Sequence, residues 1–204
     1  MTEYEKMVAG KLYDAYDREL VEMREKTRRL VISYNSIDAN QKEKRSEILR
    51  ELLGSCGKNT FMHNVQFDYG VNTYIGDEFS ANFNFTVLDC APVYIGDNVM
   101  IGPNVTLATP VHPFIPRERN FKTDENGNRQ LIEYAKPITI GSDVWIASNV
   151  TICGGVTIGK GSVIGAGSVV TKDIPDNVIA VGNPCRVVRE ITEEDSVENK
   201  AWLY

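Results

Sequence analysis

A period of six runs through the second half of the chain. Ile140, Ile146, Ile152, Ile158, Ile164 and Val170 stand six residues apart without a slip. The first five are each followed by a small residue: Gly141, Ala147, Cys153, Gly159 and Gly165. Four positions after each anchor comes Val144, Val150, Val156, Ser162 or Ser168. An upstream copy has Ile95, Ile101 and Leu107, with Gly96 and Gly102 behind the first two, and Ile75-Gly76 begins a fainter one. Neither an amphipathic helix nor an alternating strand repeats at this interval. A short strand plus a tight turn does. The anchor points inward, the next residue is small because the wall turns there, and the chain bends by about a third of a circle. Three such faces close a coil, and stacked coils bury a column of Ile and Val that no single coil buries alone.

The region before the repeat has different chemistry. Residues 1 to about 55 are rich in Glu, Lys, Arg and Leu, a helical composition. Asp38 followed by Gln41 predicts a capping box, and Gly54 fits the position just past the last turn of that helix. Ile48, Leu49, Leu52 and Leu53 recur between them at helical spacing. An earlier helix is expected from Asp17 to Tyr34, burying Leu20, Leu30, Val31 and Tyr34. From about residue 60, Glu and Lys thin out and Gly, Asn, Val, Ile and Thr take over, which is strand and turn composition. The expected division is a helical segment over 1–57, a β-helical domain over 58–190 with a protruding loop at 109–136, and a tail over 191–204.

Composition bounds the function. The chain has 204 residues, 25% charged and 42% hydrophobic, so it can bury a core without staples and is not disordered. The net charge of −6 offers no basic field for nucleic acid, and no apolar run is long enough to span a membrane. No charged-then-apolar leader opens the sequence, so export is not expected. Cys56, Cys90, Cys153 and Cys185 are far apart, with no Cys-x-x-Cys pair and only two histidines beside them. They read as reduced thiols of a cytoplasmic protein that needs no metal.

The repeat breaks once. Between Leu107 and Ile138 lie about thirty residues with no period, a length that in a compact fold marks a functional or disordered loop. His112 stands where the run enters this excursion, in Thr109-Pro110-Val111-His112-Pro113-Phe114. Its side chain titrates near neutral pH, which suits a general base. His63 lies before the clear repeats and reads as structural or surface.

The hexapeptide pattern resembles that of the hexapeptide-repeat acyltransferases, and a closer likeness runs over nearly the full length. Met7-Val8-Ala9-Gly10-Lys11-Leu12-Tyr13, Asp68-Tyr69-Gly70-Val71-Asn72-Thr73 and Ala81-Asn82-Phe83-Asn84 resemble stretches of the maltose, galactoside and related sugar O-acetyltransferases. So do the run from Gly165 through Thr171-Lys172-Asp173-Ile174-Pro175 and the later Gly182-Asn183-Pro184-Cys185-Arg186. The resemblance implies a mainly β fold, a left-handed parallel β-helix after an N-terminal helical segment. It also implies a homotrimer, with each active site between neighbouring subunits. An exposed wall with Val and Trp145 would favour such a partner, although Trp145 could equally pack within the subunit.

The activity implied is direct transfer of acetyl from acetyl-CoA to a sugar hydroxyl, with no covalent acetyl-enzyme and no metal. His112 matches the catalytic histidine and Asn82 the active-site asparagine, which would orient the acceptor or stabilise developing charge. Ser148 matches a position where a backbone N–H would face the oxyanion. Asp68 and Asp89 match the acceptor region, with turn capping as the alternative. Glu133 would orient His112 or bind acceptor, and Asp14 or Asp17 would reach the acceptor, unless Asp17 is a helix cap. Cys90 stands where the galactoside enzyme has a second aspartate. Ala147 and Ala166 would let the pantetheine arm approach, and Thr171, Lys172, Arg186 and Arg189 match the CoA-binding end, where basic groups suit phosphate.

Other readings remain: an amino sugar, antibiotic or serine acceptor, or a non-catalytic scaffold. Joint retention of His112, Asn82, Lys172 and Arg186 argues against the scaffold. A metal hydratase on this fold would need more histidines than the chain has. The loop from Phe121 to Leu131, with its polar tip Asp124 to Asn128, reads longer than in the family and would reshape acceptor choice.

Overall fold

In the computed structural model, which describes residues 1–200 and Trp202, the period of six becomes three stacked faces of parallel strands. The first face holds Ser55–Cys56, Thr73–Ile75, Val93–Ile95, Ile138–Ile140 and Thr157–Ile158. The second holds Phe61–Met62, Ser80–Ala81, Met100–Ile101, Trp145–Ile146, Val163–Ile164 and Val178–Val181. The third holds Val65–Phe67, Phe85–Leu88, Thr106–Ala108, Thr151–Cys153 and Val169–Val170. Ile140 pairs with Ile158, eighteen residues on, so three hexapeptides close one coil. Every anchor from Ile140 to Val170 is buried, as are Val144, Val150, Val156, Ser162 and Ser168. The two serines stay satisfied inside: Ser162 donates to the Pro175 carbonyl at 2.7 Å and Ser168 to that of Gly165 at 2.5 Å.

The corners are columns of left-handed backbone. Between the second and third faces, Asn84, Asn104 and Asn149 have φ of 60°, 59° and 59°, and Gly167 follows at 73°. Asn and Gly tolerate this region, whereas a β-branched side chain does not. The asparagine amides also bond along the column. Asn64 donates to Asn84 at 2.7 Å, Asn84 to Asn104 at 2.8 Å and Asn104 to Asn149 at 3.1 Å. Asn59, Glu78, Asn98, Asp143, Gly161 and Asn177 form a second left-handed set.

Three helices form the N-terminal segment, of which the second and third pack on the first coil. The first, α1, spans Glu3–Val8, with a capping box between Thr2 and Glu5 that sequence reading missed. The second, α2, spans Arg18–Ser36 and buries Leu20, Val31 and Tyr34 as expected. Its N-cap is Asp17, whose carboxylate accepts the Glu19 N–H at 3.0 Å. The third, α3, spans Lys42–Leu52 and lays Leu49 and Leu52 on the first coil. The capping box expected there does not form. Gln41 is the N-cap without a side-chain bond, because Asp38 is used in a turn that accepts the Asn40 N–H. Gly54 follows the helix as expected, but for a different reason: a Cβ there would come within 2.4 Å of the Val71 carbonyl oxygen.

At the other end, Val178–Val181 turns back into Arg186–Glu190, the one antiparallel strand on the second face. Residues 201, 203 and 204 of the expected tail lie outside the described residues. Among the described residues no helix is long and apolar enough to cross a membrane.

If left-handed backbone is what the corners demand, Asn104→Gly should keep the turn and lose only the ladder bonds. Asn104→Val should lose both and be less stable than Asn104→Gly by about 1–2 kcal/mol. Urea unfolding of the two variants measures this, and equal losses would refute it.

Candidate active site

The repeat break is built from four short strands and one short helix. Ile95 pairs with Ile140 forty-five residues on, so one coil carries twenty-seven residues beyond the regular eighteen. The chain leaves the third face at Ala108, and the excursion holds Pro110–Val111, a short helix Pro116–Arg119, and a hairpin of Lys122–Thr123 with Arg129–Gln130. Asp124 organises the hairpin tip by accepting the N–H groups of Asn126 and Asn128. The excursion returns through Ile132–Ala135, which pairs on one side with Pro110–Val111 and on the other with Tyr13–Asp14 of the N-terminal segment. A satellite apolar cluster of Met7, Tyr13, Leu20, Tyr69, Cys90 and Ala135 supports this sheet.

This sheet brings His112 and Glu133 together. Nδ1 of His112 stands 3.3 Å from Oε2 of Glu133, and the imidazole is half exposed while the carboxylate is nearly enclosed. The other oxygen, Oε1, accepts the hydroxyl of Tyr13. A cleft of about 360 Å³ opens beside them, lined by His112, Glu133, Asp68, Tyr69, Arg24 and Arg28 among others. Phe121, Arg119 and Leu131 flank His112 on the loop side. Tyr16 meets the Phe121 ring edge-on at 5.5 Å, and the Arg129 guanidinium lies 3.9 Å from its centroid.

Asp68 faces this cleft, and burial pushes its carboxyl up, partly offset by Arg24 and Arg28. The Cys90 thiol points at Asp68 from 3.9 Å. Asp89 does not face the cleft. It is 0% exposed, with its carboxylate accepting the Tyr69 N–H at 2.8 Å and the Thr73 hydroxyl at 3.0 Å. Of the two expectations, acceptor contact or turn capping, this arrangement matches the second: Asp89 holds the turn that presents Asp68 and Tyr69. Asn72 joins the same knot, donating to the Asp89 carbonyl and accepting the Tyr4 hydroxyl, both at 2.8 Å. Asp14 is likewise committed to backbone, accepting the N–H groups of Leu131 and Tyr16 at 3.0 Å each. Asp17 is the α2 cap already described. Arg24 and Tyr69 were missed as cleft residues by sequence reading; Arg24 donates to the Tyr69 hydroxyl and to the Ala15 carbonyl.

The remaining expected residues lie elsewhere. Asn82 sits at the corner after Ser80–Ala81, with Oδ1 accepting the Phe83 N–H at 2.8 Å. Ser148 and Ala166 lie on that same corner in later coils, where the Gly167 N–H donates to the Ser148 carbonyl. None of the three lines the His112 cleft. Thr171, Lys172 and Arg186 are exposed near the C-terminal end. Arg189 is there too, half exposed and paired with Asp195 through two 2.7 Å contacts. His63 stacks on Phe83 at 4.1 Å, a packing role. Trp145 and Met100, adjacent in the second face, are both about half exposed, at 49% and 55%. Among the described residues no group of three or more His, Cys, Asp or Glu could hold a metal.

A parallel solenoid of hexapeptide repeats with a histidine at its break defines a hexapeptide-repeat acyltransferase. The comparisons agree: the bacterial transferase hexapeptide family matches residues 137–172, the hexapeptide repeat of succinyl-transferase matches 92–112, and the maltose acetyltransferase hexapeptide capping motif matches 6–57. A putative acetyltransferase of Saccharomyces cerevisiae is 50% identical over 194 residues, covering 94% of each chain. The structure of a maltose O-acetyltransferase from Clostridium difficile superposes with a TM-score of 0.87 at 48% identity, covering 95% of this chain and 99% of that one. A galactoside acetyltransferase in complex with coenzyme A superposes at 0.86 with 46% identity, covering 96% and 94%. The chain belongs to the maltose- and galactoside-type O-acetyltransferases and is an acetyltransferase.

Burial raises the Asp89 carboxyl to about 6. A raised folded-state value means the folded protein holds this proton more tightly than the unfolded chain. Its effect is thus a loss of stability as pH rises from about 4 to about 6, complete above that and on the order of 2–3 kcal/mol. Asp89→Asn should remove it. The melting temperature of the variant relative to wild type should rise between pH 4 and pH 7, and a constant difference would count against the assignment.

Proposed function

We propose that the protein transfers the acetyl group of acetyl-CoA to a hydroxyl of a sugar, with His112 as general base. The observation that carries this reading is the His112–Glu133 pair, with an enclosed carboxylate on Nδ1 and a half-exposed ring opening on a cleft. A carboxylate at Nδ1 favours the tautomer whose Nε2 lone pair is free to take a proton. An alcohol is too weak an acid to supply alkoxide near neutral pH, so the base must share its proton as oxygen attacks the thioester carbonyl. The tetrahedral intermediate then expels the CoA thiolate, which takes the proton back from the imidazolium. The thioester is already activated, so no acetyl-enzyme is needed.

Asp68, Arg24 and Arg28 suit a polyhydroxylated acceptor, supplying hydrogen-bond acceptors and donors in one cleft. The backbone N–H near Ser148 and the amide of Asn82 would face the oxyanion or the acceptor. Ala147 and Ala166 leave room for the pantetheine arm, and Thr171, Lys172 and Arg186 would meet the CoA phosphates. His112 and Asn82 stand at different corners of one chain. The resemblance implies a site between neighbouring subunits of a homotrimer, which would join His112 of one chain to Asn82 of another, and the exposed Met100–Trp145 wall suits that contact. Four unpaired thiols suit a reducing, cytoplasmic setting.

Release of free thiol from acetyl-CoA, followed with a panel of sugars, amino sugars and serine, tests the reading. Sugar-dependent release should fall by about 10²–10⁴-fold in His112→Ala. Equal rates in the variant would remove His112 as base. Faster turnover of an amine or of serine than of any sugar would replace the acceptor class.

A further inference from the structure

We propose that Tyr13 is a positioning residue for the base, acting through Glu133, so that the N-terminal segment takes part in the chemistry. The inference rests on His112 being the base. Glu133 has two oxygens and two partners: His112 Nδ1 stands 3.3 Å from Oε2, and the Tyr13 hydroxyl donates to Oε1. Glu133 is 8% exposed and Tyr13 only 1%, so bulk water does not fill that second oxygen and the phenol does. Burial pushes the phenol well above its ordinary range, so the proton stays on tyrosine and the carboxylate is the acceptor.

The backbone fixes this contact across 120 residues of sequence. Tyr13 lies opposite Glu133 in an antiparallel pair, and Asp14 opposite Ile132. Side chains alternate along a strand, so a slip of one residue would turn Tyr13 away. Two bonds lock the register: Leu131 N–H donates to the Asp14 carboxylate at 3.0 Å, and Ala15 N–H to the Leu131 carbonyl at 2.9 Å. Glu3 of α1 adds a third, accepting the Asp14 N–H at 2.7 Å.

A hydrogen bond from the Tyr13 hydroxyl to Oε1 holds the Glu133 rotamer. A Glu133 oxygen fixed beside Nδ1 favours the proton on Nδ1 of His112 and leaves Nε2 free. Without the tyrosine hydroxyl, Oε1 is left unpaired in a nearly dry site. Glu133 is then free to rotate away from His112, which weakens the tautomer preference. The fraction of His112 ready to act as base falls, while donor binding is untouched.

The test is kinetic and spectroscopic, on the full-length protein, with acetyl-CoA and the best acceptor of the panel. Tyr13→Phe should lower kcat roughly tenfold, about 1.4 kcal/mol of barrier, with KM for acetyl-CoA unchanged. In a Glu133→Gln background the same substitution should change kcat by less than about twofold, because the two groups act as one unit. Nitrogen NMR of the neutral His112 imidazole should show the Nδ1–H tautomer in wild type and a mixture in Tyr13→Phe. Wild-type kcat in Tyr13→Phe would overturn the proposal, as would an equal tenfold loss in both backgrounds, the mark of a general packing defect. Wild-type kcat in His112→Ala would instead overturn the base assignment itself, so the two failures are distinct.

Discussion

Stacking in register is the constraint on which the rest of the molecule depends. Each coil can lie on the next only if every corner turns at the same place, and that requires left-handed backbone at equivalent positions. Asn84, Asn104, Asn149 and Gly167 meet the requirement at one corner, and their amides, where present, bond along the column. The inward Ile and Val anchors then fall above one another without further specification, which is why a period of six so simple in composition specifies one structure.

A rigid column has few places to hold chemistry, and the molecule solves this by interrupting one coil. Ile138–Ile140 resumes the ladder in register with Val93–Ile95 as though the excursion were absent. The excursion is free to carry His112 outward, yet it is not loose. Its returning strand is clamped between Pro110–Val111 and Tyr13–Asp14, and Lys136 N–H ties its end to the Thr109 carbonyl at 3.0 Å. The N-terminal segment therefore has two tasks. Its second and third helices pack on the first coil, and its short strand completes the sheet that supports the base.

The repeat, the helical segment and the position of the break were all legible in the sequence, because each is a local pattern that burial enforces. His112 stood out at the break, and the resemblance offered Glu133 either as its orienting partner or as an acceptor contact; the 3.3 Å approach to Nδ1 matches the first. What was not legible depends on pairs distant in sequence. A two-residue strand such as Tyr13–Asp14 has no periodicity to detect, so neither its partner nor the Tyr13–Glu133 contact could be read. Asp89 stayed open between two readings because a buried carboxylate that holds a turn and one that binds a ligand look alike in sequence; its bonds to Tyr69 and Thr73 are what tell them apart. The Asp38 box failed because the same residue suits a turn equally well.

A parallel stack of coils has no natural length. Its last coil exposes the same backbone template as its first, and another chain could in principle continue the ladder. Here both growing points are plugged. At one end α3 lies across the first coil, with buried Arg45 donating to the carbonyls of Met62 and His63. At the other, Arg186–Glu190 runs against the direction of every strand beneath it and presents an exposed, charge-bearing edge. The protein is in this sense a filament segment stopped at both ends of its column.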